Sequence, residues 1–294
     1  MNILITGCAG FIGNAAWRHL EKKHNLVGVD NLSRKTSIPP IIDSLQPHLF
    51  FLEDINNIEN LPMPLPKLDA IIHLAAQVSV VESVLDPITD IKTNAEGTLR
   101  MCMLAKEHNC KLIFSSTNKV YGELENIKEP ISDTQPIKPE TPYGVSKAAA
   151  AHYVLDMLPN SGYVFYQSCV YGETQVGTLD QGWIGWLRTS IKDKIPITCF
   201  GTGEQIRDLL HVEDLLEIYD LALDDKLPPG SYVTGGGTGN AHSFSDVVKM
   251  LGGNISKFDE WRPQDQKCFI SSNEKLKAAG WQPKIKFREW AKND

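Results

Sequence analysis

The chain of 294 residues contains no apolar run approaching the roughly 20 residues needed to span a bilayer, which excludes a helical membrane protein. Its six cysteines, Cys8, Cys102, Cys110, Cys169, Cys199 and Cys268, include no C-x-x-C pair. Scattered among apolar neighbours, they read as small core fillers, so neither a metal site nor a disulfide framework is expected. No Lys/Arg run offsets the formal net charge of −7, which sets nucleic acid aside as a partner. Internal repeats and low-complexity tracts are absent. The amino terminus, MNILITG, enters a β-type run without the basic stretch, apolar segment and cleavage site of a secretory signal. The expectation is a cytoplasmic protein with no membrane partner.

What is present is the composition of a globular protein, 42% hydrophobic and 22% charged, long enough for one large α/β unit or two unequal domains. Strand-length apolar runs alternate with helix-period segments: NILIT, a helix from Phe11 to Lys23, LVGV ending at Asp30, HLFFLE, DAIIHLA, a long helix from Asp86 to His108, and KLIFSS. A helix from Thr141 to Pro159 and the strand GYVFYQS follow, while LPMPLPK (Leu61 to Lys67) reads as a Pro-stiffened loop. Continuous apolar strands between helices predict a doubly wound parallel sheet covered on both faces, a Rossmann-type α/β fold. After Tyr171 the texture becomes glycine-rich with short elements. We therefore expect a cofactor-binding unit over 1–170 and a smaller substrate-binding unit over 171–294, with a segment near 197–235 returning to the sheet.

ITGCAGFIG places Gly7, Gly10 and Gly13 between the first strand and first helix. Glycines there permit a tight turn and let backbone approach a pyrophosphate at the positive end of a helix. The spacing is G-x-x-G-x-x-G rather than G-x-G-x-x-G, and a plain turn with close helix packing would also suit three glycines. Asp30, ending the second strand, can accept hydrogen bonds from an adenosine ribose and would repel a 2′-phosphate, which favours NAD. Arg34 and Lys35 stand nearby and could accommodate that phosphate. Asp54 suits either an adenine amino group or a helix N-cap.

TPYGVSK sets Tyr143 and Lys147 four residues apart at a helix start, on one face. An ordinary tyrosine titrates near 10, but a neighbouring ammonium and a positively charged cofactor stabilise its phenolate. FSSTNKVYG ends a strand in the hydroxyls Ser115, Ser116 and Thr117, of which Ser115 reads as bonded to backbone. His73 reads as a structural strand-end histidine without chemistry.

TGCAGFIG, HLAAQ, SSTNKVYG and YGVSK, in that order, resemble the extended short-chain dehydrogenase/reductase superfamily, whose members modify nucleotide-activated sugars. The resemblance covers nearly the whole chain. It implies a catalytic group of Thr117, Tyr143 and Lys147, with Tyr143 as general acid/base and Lys147 anchoring the nicotinamide ribose while depressing the phenol pKa. It implies NAD held by Gly7, Gly10, Phe11, Ile12, Asp30, Asn31, Arg34, Asp54, Ile55, Leu74, Ala75 and Ala76 together with Tyr143 and Lys147. The nucleotide sugar would meet Gln77, Ser79, Thr117, Asn118, Gln181, Trp183, Arg207 and Arg262.

Superfamily members that eliminate water resemble one another in following the threonine with Asp-Glu, since expelling a hydroxyl needs an acid and abstracting hydrogen needs a base. Here Asn118 and Lys119 stand there, and neither is a carboxylic acid, which leaves epimerisation. STNKVYG, TLDQGWIGW and GTGEQIRDLLHVEDL are similar to the CDP-paratose 2-epimerase branch, which implies inversion at C2 of a nucleotide-linked hexose. Leu179 to Trp186 would line the nucleotide side, with Trp186 equally suited to a helix core. Arg207 and Arg262 could grip the diphosphate, although Arg207 could instead pair with Asp208. Departures from the superfamily pattern are Tyr166 and Thr174 where arginines are common, Cys169 in a small polar position, and Gln264 for a glycine. A 4-epimerase or reductase and a non-catalytic NAD-sensing regulator are the alternatives. Self-association into a homodimer or larger homo-oligomer, pairing through the helices after Asp86 and Tyr143, is expected from the same resemblance.

Overall fold

A computed structural model describes residues 1–34, 49–60, 64–124, 129–178, 181–262 and 265–292. Lys35, positions 61–63 of the Pro-stiffened loop, Leu179 and Gln264 lie outside these residues. The first half alternates β1 (Asn2–Thr6), α1 (Phe11–Leu20), β2 (Asn25–Asp30), β3 (Leu49–Leu52), β4 (Ala70–His73) and β5 (Lys111–Thr117). After α-helical and loop segments comes β6 (Gly162–Gln167). These six strands and Gly230–Thr234 form one seven-stranded sheet, in the order Gly230–Thr234, β6, β5, β4, β1, β2, β3. Every pairing in it is parallel.

The near-continuous apolar runs follow from this topology, because alternate side chains enter opposite cores. Leu4, Ile71, Leu112, Phe114 and Val164 pack on one face. Ile3, Ile5, Ala70, Ile72, Ile113, Tyr163 and Phe165 pack on the other. The chain order reverses between β1 and β4, which leaves a crevice at the carboxyl ends of those strands.

α1 ends at Leu20, and Glu21 N–H closes on Trp17 carbonyl, three residues before the boundary expected at Lys23. The helix expected from Asp86 to His108 runs without a gap from Pro87 to His108 with a π turn inside it, and is preceded by α2 (Val80–Leu85), whose six residues are too few to show a period. α3 (Pro87–Ile91) is followed by a π-helical turn, Lys92–Glu96, and then α4 (Gly97–His108). Asp86 sets the expected start and separates this helix from α2, since its side chain caps α3 by accepting from Thr89 N–H at 3.0 Å. The π turn buries Asn94, whose amide donates to Asp90 and to Ser146, both at 3.1 Å. Ser146 lies on α5 (Pro142–Met157), capped by Thr141 and carrying proline at its first position.

Beyond residue 170 a third apolar cluster forms around Tyr171, Leu209, Val247 and Phe287. Ile206–His211 there pairs with Cys169–Tyr171, Ala241–Ser243 and Cys268–Phe269. Among the described residues no helix is long and apolar enough to cross a membrane, and no group of His, Cys, Asp or Glu is arranged to hold a metal.

Candidate active site

One cleft of about 1010 Å³ opens at the carboxyl ends of the strands, between the first glycine loop and the wall supplied by residues beyond 170. Its floor is backbone. Gly7 holds φ at +70°, and a Cβ there would lie 2.6 Å from Ala75 N, so glycine is required by both conformation and space. A Cβ on Gly13 would lie 2.1 Å from the Gly7 carbonyl oxygen, which lets α1 begin hard against the loop. No side chain caps the start of α1, so its first N–H groups remain for an anion. Asp30 braces the loop from beneath, accepting from Ala9 N–H at 3.0 Å and from Leu32 N–H at 2.8 Å.

The reactive side chains converge at the end of β5. Tyr143 and Lys147 are both buried on α5 and both line the cleft with Thr117. Burial pushes the Tyr143 phenol up to about 12, opposed by a hydrogen bond with Thr117 and by the Arg34 charge. Burial brings Lys147 down to about 7, while the Asp90 carboxylate acts to raise it. The Lys147 ammonium donates to the Ser115 carbonyl at 2.7 Å and sits 4.2 Å above the Phe114 ring. Without the dinucleotide, desolvation dominates at the phenol, and the Lys147 ammonium is engaged with the end of β5. Asp90 is held in turn by Ser146 Oγ at 2.5 Å and Gln77 Nε2 at 2.8 Å.

His73 is buried and neutral, with burial lowering it to about 3. Because Thr98 donates to the Asn94 carbonyl at 2.6 Å, His73 Nε2–H donates to Thr98 and Nδ1 accepts from Thr6 at 2.7 Å. Its role is to tie β1 to the start of α4 behind the cleft.

The opposite wall is built from pairs distant in sequence. Asn118 donates to Gln266 at 3.0 Å, and Gln266 returns bonds to the Asn118 carbonyl at 3.1 Å and the Gly122 carbonyl at 2.6 Å. Asp265 Oδ1 lies 2.9 Å from Arg207 Nη2 and 3.4 Å from Lys119 Nζ. Arg207 therefore pairs with Asp265 and not with its neighbour Asp208. The latter is fully buried and accepts from Ser168, Ser271 and Gly237. Arg262 lies 4.1 Å from the Phe200 ring, and Trp183 stacks on Phe244 while donating to Cys169 sulfur.

Of the residues singled out in the sequence, Gly7, Gly10, Phe11, Ile12, Arg34, Leu74 and Ala76 line the cleft, as do Thr117, Asn118, Tyr143, Lys147, Gln181, Trp183, Arg207 and Arg262. Asp30, Asn31, Asp54, Ile55, Ala75, Gln77 and Ser79 are not among its lining residues. Asn31 donates to Asp54 at 2.8 Å, and Asp54 also accepts from Asn56 N–H at 2.9 Å, the capping alternative. Ile55 is buried in the core. Gln77 bonds to Ser79 and Asp90, and Ser79 caps α2. Sequence reasoning passed over the lining residues Gln167, Gln175, Gln205 and Asp265, polar side chains in no recognisable spacing.

Residues 3–235 match the NAD dependent epimerase/dehydratase family. The chain belongs to that family. Its relatives are nucleotide-sugar enzymes. CDP-paratose 2-epimerase of Salmonella typhi is 35% identical, over 98% of this chain and 96% of its own length. A putative UDP-glucose 4-epimerase of Methanocaldococcus jannaschii is 28% identical over 99% of both chains. Among solved structures, the UDP-glucose 4-epimerase of Thermotoga maritima with UDP-glucose superposes with a TM-score of 0.86 at 29% identity, covering 99% of this chain and 96% of that one. The Thermus thermophilus UDP-glucose 4-epimerase complex with NAD gives a TM-score of 0.82 at 28% identity, again over 99% and 96%. The dinucleotide in the family's name fits this cleft: the tight turn at Gly7, the close packing of α1 on it at Gly13 and the uncapped start of α1 suit a diphosphate.

Proposed function

We propose that this member of the epimerase/dehydratase family is an NAD-dependent nucleotide-sugar 2-epimerase acting on a CDP-linked hexose. One observation carries the reading. The strand end that presents Thr117 to Tyr143 continues into Asn118 and Lys119, both tied to the loop 265–266. Asp265, the one carboxylate among the described residues lining the cleft, is paired with two cations and is thereby committed as a charge partner. A dehydration needs a proton donor at the departing hydroxyl, and no side chain here offers one from a carboxylic acid. The 35% identity to a CDP-paratose 2-epimerase supports the choice of C2 and of cytidine.

In this reading the loop from Gly7 to Gly13 and the start of α1 hold the dinucleotide diphosphate, Asp30 and Arg34 border its adenosine side, and Leu74 and Ala76 form the adjoining wall. NAD, when bound, accepts and returns a hydride at the sugar carbon. The chain's own contribution is proton movement at the Tyr143 oxygen, with Thr117 hydrogen-bonded to it. Lys147, fixed by the Ser115 carbonyl, orients the ribose hydroxyls and places positive charge behind the phenol. With the phenol at about 12, ionisation near neutrality needs several kcal/mol of further stabilisation from positive charge brought into the cleft. Gln181 and Trp183 face the nucleotide, and Arg207 and Arg262 face the diphosphate. We also propose that residues up to 170 bind the cofactor and those beyond it the nucleotide sugar. A homodimer through α3, α4 and α5 is supported by the exposed Ile88, Ile91, Met103, Val145 and Tyr153; light scattering at the mass of two chains is the expected result.

The test is incubation of the purified protein with CDP-, GDP- and UDP-hexoses and assignment of product stereochemistry by NMR. Inversion at C2 of the CDP-hexose is expected. A product changed only at C4 rejects the reading, and consumption of added NADPH points to a reductase.

A further inference from the structure

Lys119 is left unused by the proton-transfer chemistry, yet its backbone is locked to the reacting group. Its N–H donates to Thr117 Oγ1 at 3.2 Å, and Thr117 is hydrogen-bonded to Tyr143. Its side chain lines the cleft and is only 19% exposed. Confining an ammonium there is unfavourable, and both burial and the adjacent Arg207 charge lower its pKa. The compensation is incomplete: one carboxylate, Asp265, serves Lys119 at 3.4 Å and Arg207 at 2.9 Å. Two cations against one anion leave a positive charge in excess at the cleft wall. Arg207 spends further donors on the Ile206 and Gln266 carbonyls. The Lys119 ammonium, with three donors, has one long described contact, so it can still meet an incoming polyanion.

We infer that Lys119, together with Arg207, binds the phosphoryl group attached to the sugar, and that this contact determines which sugar carbon faces Tyr143. This deepens the reading of the chain as a 2-epimerase and rests on it. The phosphoryl oxygen is bonded to the anomeric carbon, and C2 is the next ring atom. C4 lies across the ring from it. A cation two residues from Thr117 draws that phosphoryl group toward the phenol, which favours presenting the carbon beside the anomeric centre. For a reaction at C4 the phosphoryl group would lie a ring's width farther from the reacting carbon.

The experiment compares nucleoside diphosphates with monophosphates, CDP against CMP, UDP against UMP and GDP against GMP, by calorimetry in the presence of NAD. Wild type, Lys119→Met and Lys119→Arg are measured in parallel with their melting temperatures. For the base that binds, wild type is expected to prefer the diphosphate. Lys119→Met should reduce that preference roughly tenfold or more, the usual loss for a charged hydrogen bond, and leave monophosphate affinity unchanged. Lys119→Arg should keep most of the preference. If the methionine variant does not fold, Lys119→Gln, which retains polarity without charge, replaces it. A diphosphate preference that survives loss of the ammonium overturns the inference, even where product analysis confirms inversion at C2. Conversely, inversion at C4 by the wild type removes the 2-epimerase reading, whatever the diphosphate preference of the variants.

Discussion

The two ends of the cleft are built from different materials. The cofactor end is backbone: glycines that admit close approach, an uncapped helix start, and a carboxylate bracing the loop. The substrate end is made of side-chain pairs that span the sequence, Asn118 with Gln266 and Lys119 with Asp265, each separated by 146 or 148 positions. Backbone recognition of a diphosphate tolerates many sequences around it, whereas paired side chains commit a site to one geometry. Tyr143 and Lys147, the residues proposed for catalysis, line the cleft at the seam between the two ends.

The comparison can be broken most severely at that seam. Tyr143→Phe should lower turnover by roughly 10²- to 10⁴-fold, the usual share of a general acid/base, with nucleotide affinity retained; steady-state rates and calorimetry separate the two. At the cofactor end, Gly7→Ala should abolish measurable NAD binding and lower the melting temperature, because φ is +70° and the new Cβ would sit 2.6 Å from Ala75 N. At the substrate end, Gln266→Leu should cost about 1–3 kcal/mol of stability by leaving the Asn118 amide and Gly122 carbonyl unpaired, and should weaken nucleotide-sugar binding while NAD affinity stays as in wild type. Equal loss at both ends would erase the distinction between them.

A smaller effect sharpens the account of Lys147. Its folded value of about 7 lies below the ordinary lysine value of 10.5, so the unfolded chain binds more protons between those limits. Stability from this group is therefore lost as pH falls toward 7 and recovered as pH rises. Urea unfolding of the cofactor-free protein at pH 7 and pH 8.5 should show a gain of roughly 1–2 kcal/mol from this group, absent in Lys147→Met. The difference between the two proteins isolates it from the thiols, which titrate at higher pH.

The parallel sheet was legible because each strand from β1 to β6 is an apolar run whose alternate residues enter two cores. Gly7 and the Tyr143/Lys147 pair were legible because local spacing carries their geometry. The start of the long helix at Asp86 was legible too, but α2 and the π turn were not, since six residues show no period and a buried amide decides the turn. Asp265 and Gln266 were not legible either: a carboxylate between two cations has no sequence period, and its partners lie two residues beyond β5 and on Ile206–His211. Burial of the phenol and the bond from the Lys147 ammonium to the Ser115 carbonyl were not legible for a related reason, because spacing places Lys147 beside Tyr143 without revealing what surrounds either group.

The most direct test uses CDP-hexose carrying deuterium at C2. If hydride leaves and returns at that carbon, turnover slows relative to the unlabelled sugar and the epimerised product keeps its deuterium at C2. Unchanged turnover, with product inverted at another carbon, would contradict the account.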